Sequence, residues 1–171
     1  MRFPHRRPRR GLWLLAAVVA LVVYRLATTG GDNEAPEALA EGNYEVARVV
    51  DGDTLLLANH ARVRLIGVDT PETVRPNHPV EPWGPEASRF TREFLGSGSV
   101  RLTFDHERKD KFERFLAYVW VGDRLLNEEL LRAGFARAEL GFHYSGAMKK
   151  RFREAERSAQ RERLGLWSGR P

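Results

Sequence analysis

Carboxylates and arginines crowd two short phrases of this chain, Val49-Val50-Asp51-Gly52-Asp53-Thr54 and Val63-Arg64-Leu65-Ile66-Gly67-Val68-Asp69-Thr70-Pro71-Glu72, and another arginine closes Asp110-Lys111-Phe112-Glu113-Arg114. Carboxylate oxygens hold a hard divalent cation, a carboxylate not so engaged can take a proton from water, and a guanidinium fork binds phosphate through two parallel hydrogen bonds. The combination points to metal-assisted cleavage of phosphodiesters. Each piece also has a plainer reading. Asp-Gly-Asp is ordinary turn material, a strand arginine usually faces water, and Arg114 could simply pair with Asp110 or Glu113. Turn chemistry leaves unexplained why Arg64 sits inside an apolar strand, just ahead of two acids where the chain leaves the sheet.

Three strands must position these groups. Residues 44–50, 54–58 and 61–68 are rich in Val, Leu and Ile, with Asp51-Gly52 and Asn59-His60 as turns, and they read as a meander. A two-residue turn at Asn59-His60 sets Asp53 opposite Ile66 and Arg64 opposite Leu55. Asp53 and Arg64 then become diagonal neighbours about 7 Å apart, close enough to share a phosphate and its metal. A one-residue slip would turn one strand's whole set to the other face. Pro71 ends the third strand, and residues 74–84, with three prolines, form a loop. A helix over 85–95 opens on a proline and an acid, closes at Gly96, and carries Ala87, Phe90 and Phe94 on one side. Strands follow over 99–105 and 114–121, then helices over 125–133 and 146–164. Five strands with three helices predict an α+β domain on a strongly bent antiparallel sheet, whose natural closed form is a five-stranded barrel.

Composition narrows the chemistry further. The 171 residues suit one domain, and 42% hydrophobic residues suffice for a packed core. The net charge of +5 is misleading, because five arginines lie within the first ten residues. From Tyr44 onward the balance is 22 basic residues to 19 acidic ones, so phosphate affinity must come from arrangement rather than bulk charge. Cysteine is absent, which excludes disulfides, thiolate zinc sites and cysteine nucleophiles. The five histidines show no metal-site spacing and read as surface residues. There is no Gly-x-Ser-x-Gly elbow or P-loop, and the basic run of the last helix reads as a solvated face.

Residues 1–10 form a basic arm ahead of an apolar run over 11–27, followed by a polar, acid-rich stretch over 28–43 that reads as a flexible tether to a domain over 44–171. The apolar run is short for a full span, but Arg25 can snorkel. The one good small-x-small cleavage site, Ala38-Leu39-Ala40, lies far beyond it. An uncleaved membrane anchor is therefore favoured over a cleaved signal peptide. The positive-inside rule leaves the arm cytoplasmic and the domain extracytoplasmic.

These motifs, in this order, resemble the staphylococcal nuclease (thermonuclease) family over nearly all of residues 44–168. The likeness adds Trp83-Gly84-Pro85-Glu86-Ala87-Ser88, Asn127-Glu128-Glu129-Leu130-Leu131-Arg132-Ala133-Gly134 and Leu164-Gly165-Leu166-Trp167-Ser168 to the phrases above. The resemblance implies an OB-fold barrel with three helices and a monomeric, calcium-dependent nuclease acting on DNA and RNA at the bond to the 5′ oxygen, leaving 3′-phosphate ends. It implies Asp53 and Asp69 as Ca2+ carboxylates with the Thr70 carbonyl as a further ligand. Glu72 is implied as the residue that activates water, and Arg64 and Arg114 as the pair that holds the scissile phosphate. The chain departs from the family at Phe112, where tyrosine is usual, at Leu140 and Phe142, where nucleotide-contacting tyrosines fall, and at Glu113, which replaces glycine.

Two rivals share the barrel. One is a catalytically silent module binding nucleic acid or protein at the cell surface, which could dispense with any of Asp53, Arg64, Asp69, Glu72 and Arg114. The other is a sugar-binding barrel, which would want exposed aromatics instead. All five residues are present, which favours the enzyme.

Overall fold

The computed structural model describes residues 35–73, 79–96 and 98–169. Its strands are β1 (Gly42–Asp51), β2 (Thr54–Leu57), β3 (Arg62–Leu65), β4 (Val68–Asp69), β5 (Ser99–Thr103), β6 (Phe115–Val121), β7 (Arg124–Leu125) and β8 (Arg137–Ala138). The helices are α1 (Gly84–Leu95), α2 (Leu126–Arg132) and α3 (Gly146–Glu162), with a short 3-10 turn at Gly165–Trp167. The sheet runs β3-β2-β1-β5-β6-β7, and β6 returns to pair with β3 in parallel, so β1, β2, β3, β5 and β6 close into the expected five-stranded barrel with no free edge between them. Leu55, Val63, Leu65, Leu102, Ala117 and Val119 fill it, each essentially without exposure.

The register of the β2–β3 hairpin differs from the sequence expectation by one residue. Thr54 faces Arg64 and Leu55 faces Val63. The physical reason is the loop. The N–H of Leu57 donates to the carbonyl of Ala61, so three residues rather than two make the turn, and His60 takes the left-handed conformation at φ 66 that such a loop needs. The strand expected over 61–68 also breaks after Leu65. Gly67 bends the chain with φ 77, and a side chain there would lie 2.7 Å from the Phe152 ring. Val68 and Asp69 resume as β4, which pairs antiparallel with β8, so that Asp69 faces Arg137.

Two of the three helices are tied to the barrel by a buried polar group, and the third by apolar packing. In α1 the buried face is Gly84, Ala87, Ser88, Thr91 and Leu95, while Phe90 and Phe94, expected beside Ala87, stack on each other at its edge. The Thr91 hydroxyl donates to the Gly52 carbonyl at 2.6 Å. In α2, fully buried Asn127 accepts the Val119 N–H and donates to the carbonyls of Ile66 and Ala117, bridging the barrel to the start of β4. In α3, Phe152, Ala155 and Ala159 face the core, and the helix ends two residues short of the expected limit, where Arg163 turns left-handed.

Residues 35–43, read above as the end of a tether, belong in part to the domain. Leu39 lies in the core, its carbonyl accepts from Arg108 at 2.7 Å, and β1 already begins at Gly42. The apolar run over 11–27 lies outside the described residues, among which no helix is long and apolar enough to cross a membrane.

Candidate active site

The turn between β1 and β2 carries two carboxylates on either side of Gly52. Asp53 is buried. Its Oδ2 accepts both the N–H of Thr70 at 2.8 Å and the Thr70 hydroxyl at 2.9 Å, and its Oδ1 accepts the Thr54 hydroxyl at 3.0 Å. Asp51, equally buried, accepts the hydroxyl of Thr73 at 2.7 Å, the Thr73 N–H at 3.2 Å and the Ser88 hydroxyl at 3.2 Å. The two acids thus hold the segment after β4 at Thr70 and at Thr73, with Glu72 between. Burial alone would push Asp51 up, but the neighbouring Glu72 side chain and the hydrogen bonds from Thr73 and the Gly52 N–H outweigh it and hold its carboxyl below the ordinary value. No side chain fits at residue 52, because a Cβ would meet Thr70 Oγ1 at 2.8 Å and Ala87 Cβ at 2.9 Å. Glycine here is a packing requirement.

Arg64 projects from β3, paired with Thr54 on one side and with Leu116 on the other. Its Nη1 meets Asp53, and its Nη2 donates to Asp69 Oδ1 at 2.7 Å. The adjacency expected from the sequence therefore exists, although through another route. Asp53 lies in the turn rather than in the ladder, so its side chain is not bound by the pleat that would otherwise send it to the opposite face. Burial pushes the Arg64 guanidinium below its usual range and Asp69 pulls it back, while the charge of Arg114 also acts on it. Arg64 Nε is buried and has no hydrogen-bond partner among the described residues. A buried donor without a partner costs about 1–3 kcal/mol.

Arg114 sits at the base of a tight loop before β6. The Asp110 N–H donates to the Arg114 carbonyl, and Asp110 Oδ1 accepts the N–H groups of Phe112 and Arg114. Asp110 Oδ2 takes Nε and Nη2 of Arg114 at 2.7 and 2.6 Å. These bonds hold the Asp110 carboxyl below its ordinary value against the opposing effect of burial. Glu113, which stands where the family has glycine, keeps the left-handed backbone at φ 60 and pairs with Lys109. Phe112 projects at the rim with 63% of its surface exposed.

One cleft of about 390 Å³ is lined by Asp53, Arg64, Asp69, Thr70, Glu72 and Arg114, which are all six residues singled out from the sequence. Asp51, Arg62 and Phe112 line it as well. Asp51 and Asp110 were not recognised as parts of the site. Asp51 was visible only as half of a turn motif, and Asp110 only as a possible partner for Arg114. The donor set is wholly oxygen. Asp53 and Asp69 converge closely enough for one guanidinium to touch both, and the Thr70 carbonyl follows Asp69 directly. Such a set fits a hard cation such as Ca2+. Among the described residues no cluster of three or more His, Cys, Asp or Glu could hold a metal, so a cation here would complete its shell with carbonyl, water or substrate oxygens.

The basic run of α3 is the solvated face its charge pattern suggested, with Lys150, Arg151, Arg153, Arg157 and Arg161 exposed, and some of its cations also reach polar partners. Glu128, largely buried, takes Arg151 at 2.5 Å and Arg132 at 2.6 Å, and Lys149 donates to the Leu140 carbonyl.

Comparison with known proteins shows the family. The family described as Staphylococcal nuclease homologue matches residues 62–169. A thermonuclease of Staphylococcus intermedius is 40% identical over 161 residues, covering 92% of this chain and 95% of the relative. A thermonuclease of Staphylococcus hyicus is 40% identical over 159 residues, covering 91% and 94%. The endonuclease YncB of Bacillus subtilis is 38% identical over 130 residues, covering 74% of this chain and 62% of the relative.

Proposed function

The chain belongs to the staphylococcal nuclease family and is a nuclease, and from this premise we propose that it hydrolyses DNA, RNA or both with calcium as its cation, breaking the bond to the 5′ oxygen and leaving 3′-phosphate ends. The observation that carries this reading is the convergence of two carboxylates, a third carboxylate on a stapled segment and two arginines in one cleft.

Asp53, Asp69 and the Thr70 carbonyl would hold the cation. When bound, calcium supplies positive charge beside the phosphoryl group and makes a neighbouring water more acidic. Glu72 accepts a proton from the attacking water. The water oxygen forms its bond to phosphorus as the bond to the 5′ oxygen breaks, and the departing oxygen takes a proton from solvent. Arg64, which touches both Asp53 and Asp69, and Arg114, in the same cleft, offset the negative charge that builds on the equatorial oxygens of the phosphate. Asp110 grips two nitrogens of Arg114 and so fixes the direction of its remaining donors. Mutual repulsion between the two guanidinium groups favours an anion between them.

Digestion of single-stranded DNA and of RNA with calcium, with chelator and with Glu72→Gln protein tests the reading. Cleavage should require calcium and fall at least a hundredfold in the variant. Equal rates with calcium and chelator would remove the metal role. We further propose that residues 11–27 anchor a monomeric enzyme at the membrane with the catalytic domain extracytoplasmic, supported by the arginine arm and the apolar run. Fractionation of cells expressing the full chain tests this, since activity wholly in the soluble fraction would contradict it.

A further inference from the structure

Three cavities on this domain adjoin one another through shared walls. The catalytic cleft shares Phe112 and Arg114 with a cavity that reaches Phe142. At its other end the cleft shares Asp69 and Thr70 with a larger cavity of about 420 Å³, walled by Pro82, Trp83, Arg137 and Leu166. The reacting groups therefore sit in the middle of a track rather than at a closed end.

We infer that the Trp83–Arg137 cavity is a second nucleotide subsite, which takes the nucleotide beyond the scissile bond on the side away from Phe112 and Phe142. This deepens the nuclease reading and rests on it. Its walls offer what a nucleotide needs. Trp83 is held against Phe135 with ring centroids 6.2 Å apart, and with Pro82 it lines the cavity with flat apolar surface. A nucleobase of any identity can stack on such a surface. Arg137 carries the charge for a phosphate. It sits across from Asp69 in the β4–β8 pair, its guanidinium lies 4.8 Å from the Trp167 ring centroid, and among the described residues it makes no ion pair. The one acid besides Asp69 in the wall, Glu81, accepts the N–H of Glu72 at 3.2 Å.

The test uses single-stranded oligonucleotides with one cleavable linkage, shortened a nucleotide at a time from either end, with calcium, on the wild-type chain and on Arg137→Ala and Trp83→Ala. In the wild type, restoring the nucleotide next to the linkage should raise kcat/KM from both ends. Each variant should lose that gain from one end only, by about fivefold to a hundredfold, the range one stacked base supplies. Arg137→Ala should also lower the salt dependence of oligonucleotide binding by about 0.7 of a counterion, which loss of packing would not do. Trp83 opens α1 and packs on Phe135, so Arg137→Ala decides the matter if Trp83→Ala fails to fold. Gains kept from both ends in Arg137→Ala, or lost equally from both, overturn the subsite while leaving the nuclease reading intact. Absence of any cleavage by the wild type overturns both.

Discussion

Asp51 accepts the hydroxyl and the backbone N–H of Thr73 at 2.7 and 3.2 Å, closing a staple across 22 positions of sequence. Glu72 lies between this staple and that of Asp53 on Thr70. Removing the hydroxyl in Thr73→Val should therefore cost about 1.5–3 kcal/mol of stability, as for a hydrogen bond to a charged group. It should also lower kcat more than it raises KM, because substrate contacts remain while Glu72 loses its fixed place. Chemical denaturation and steady-state kinetics check both, and an unchanged kcat would show that the staple serves the fold alone.

Gly52 should tolerate no side chain. In Gly52→Ala the new Cβ would lie 2.8 Å from Thr70 Oγ1, 2.9 Å from Thr70 Cγ2 and 2.9 Å from Ala87 Cβ. Thr70 is bonded to Asp53, and Ala87 is fixed on α1, so neither can yield cheaply. Overpacking of this kind costs about 1–3 kcal/mol, and here it would also shift Thr70 away from Asp53. The measurement is the denaturation midpoint together with calcium-dependent activity. A variant as stable and as active as the wild type would mean that α1 moves aside freely.

The arginines and acids of the site were legible because their neighbours are not. Asp53, Arg64, Asp69 and Glu72 stand out against apolar strand residues, and the strand pattern itself was enough to place them at one end of a barrel. The β2–β3 register was hidden because His60, a residue with no strong preference for a left-handed backbone, makes the turn one residue longer. The parallel contact of β3 with β6, which closes the barrel, leaves no local signal since its partners are about 50 positions apart. The two-residue strands β4 and β8 are shorter than any periodicity can register, yet they set Asp69 across from Arg137. The role of Asp51 was masked by its resemblance to turn material, because its partners Thr73 and Ser88 become neighbours only when α1 packs on the barrel.

Replacing Arg114 by lysine should not preserve activity. Asp110 holds Arg114 through Nε and Nη2 together, and lysine has one nitrogen to offer. Arg114→Lys would keep the charge but lose both the grip and the fork. The expected effect is a fall of about 10²–10³ in kcat with KM changed little, the size seen when a preorganised donor to a developing negative charge is removed. A loss confined to KM would place Arg114 in ground-state binding instead.

Acid should weaken the domain through Asp105, away from the catalytic cleft. Its Oδ2 accepts the Tyr118 hydroxyl at 2.7 Å and the Ser145 N–H at 2.9 Å, so it joins β6 to the start of α3, while Oδ1 accepts the N–H of His106 and meets its ring. Burial pushes the Asp105 carboxyl up, but the Ser145, Tyr118 and His106 bonds outweigh it and hold the group down at about 2, against 3.8 ordinarily. Tyr118 is pushed up by burial and by Asp105, so its hydroxyl stays a donor. The sign follows from which state takes the proton first. Above 3.8 Asp105 is ionised in both the folded and the unfolded chain, and its full contribution is present. As pH falls from there toward 2 the unfolded chain is protonated first, so folding stability drops, and below about 2 the contribution is gone. Urea unfolding of the wild type and of Asp105→Asn across that range should therefore give a stability difference that is constant above about 4.5 and shrinks steadily as the acid limb is descended. A difference that stays flat to the lowest pH would mean that the Ser145 and Tyr118 bonds do not favour the ionised carboxylate, and that the joint between β6 and α3 rests on packing alone.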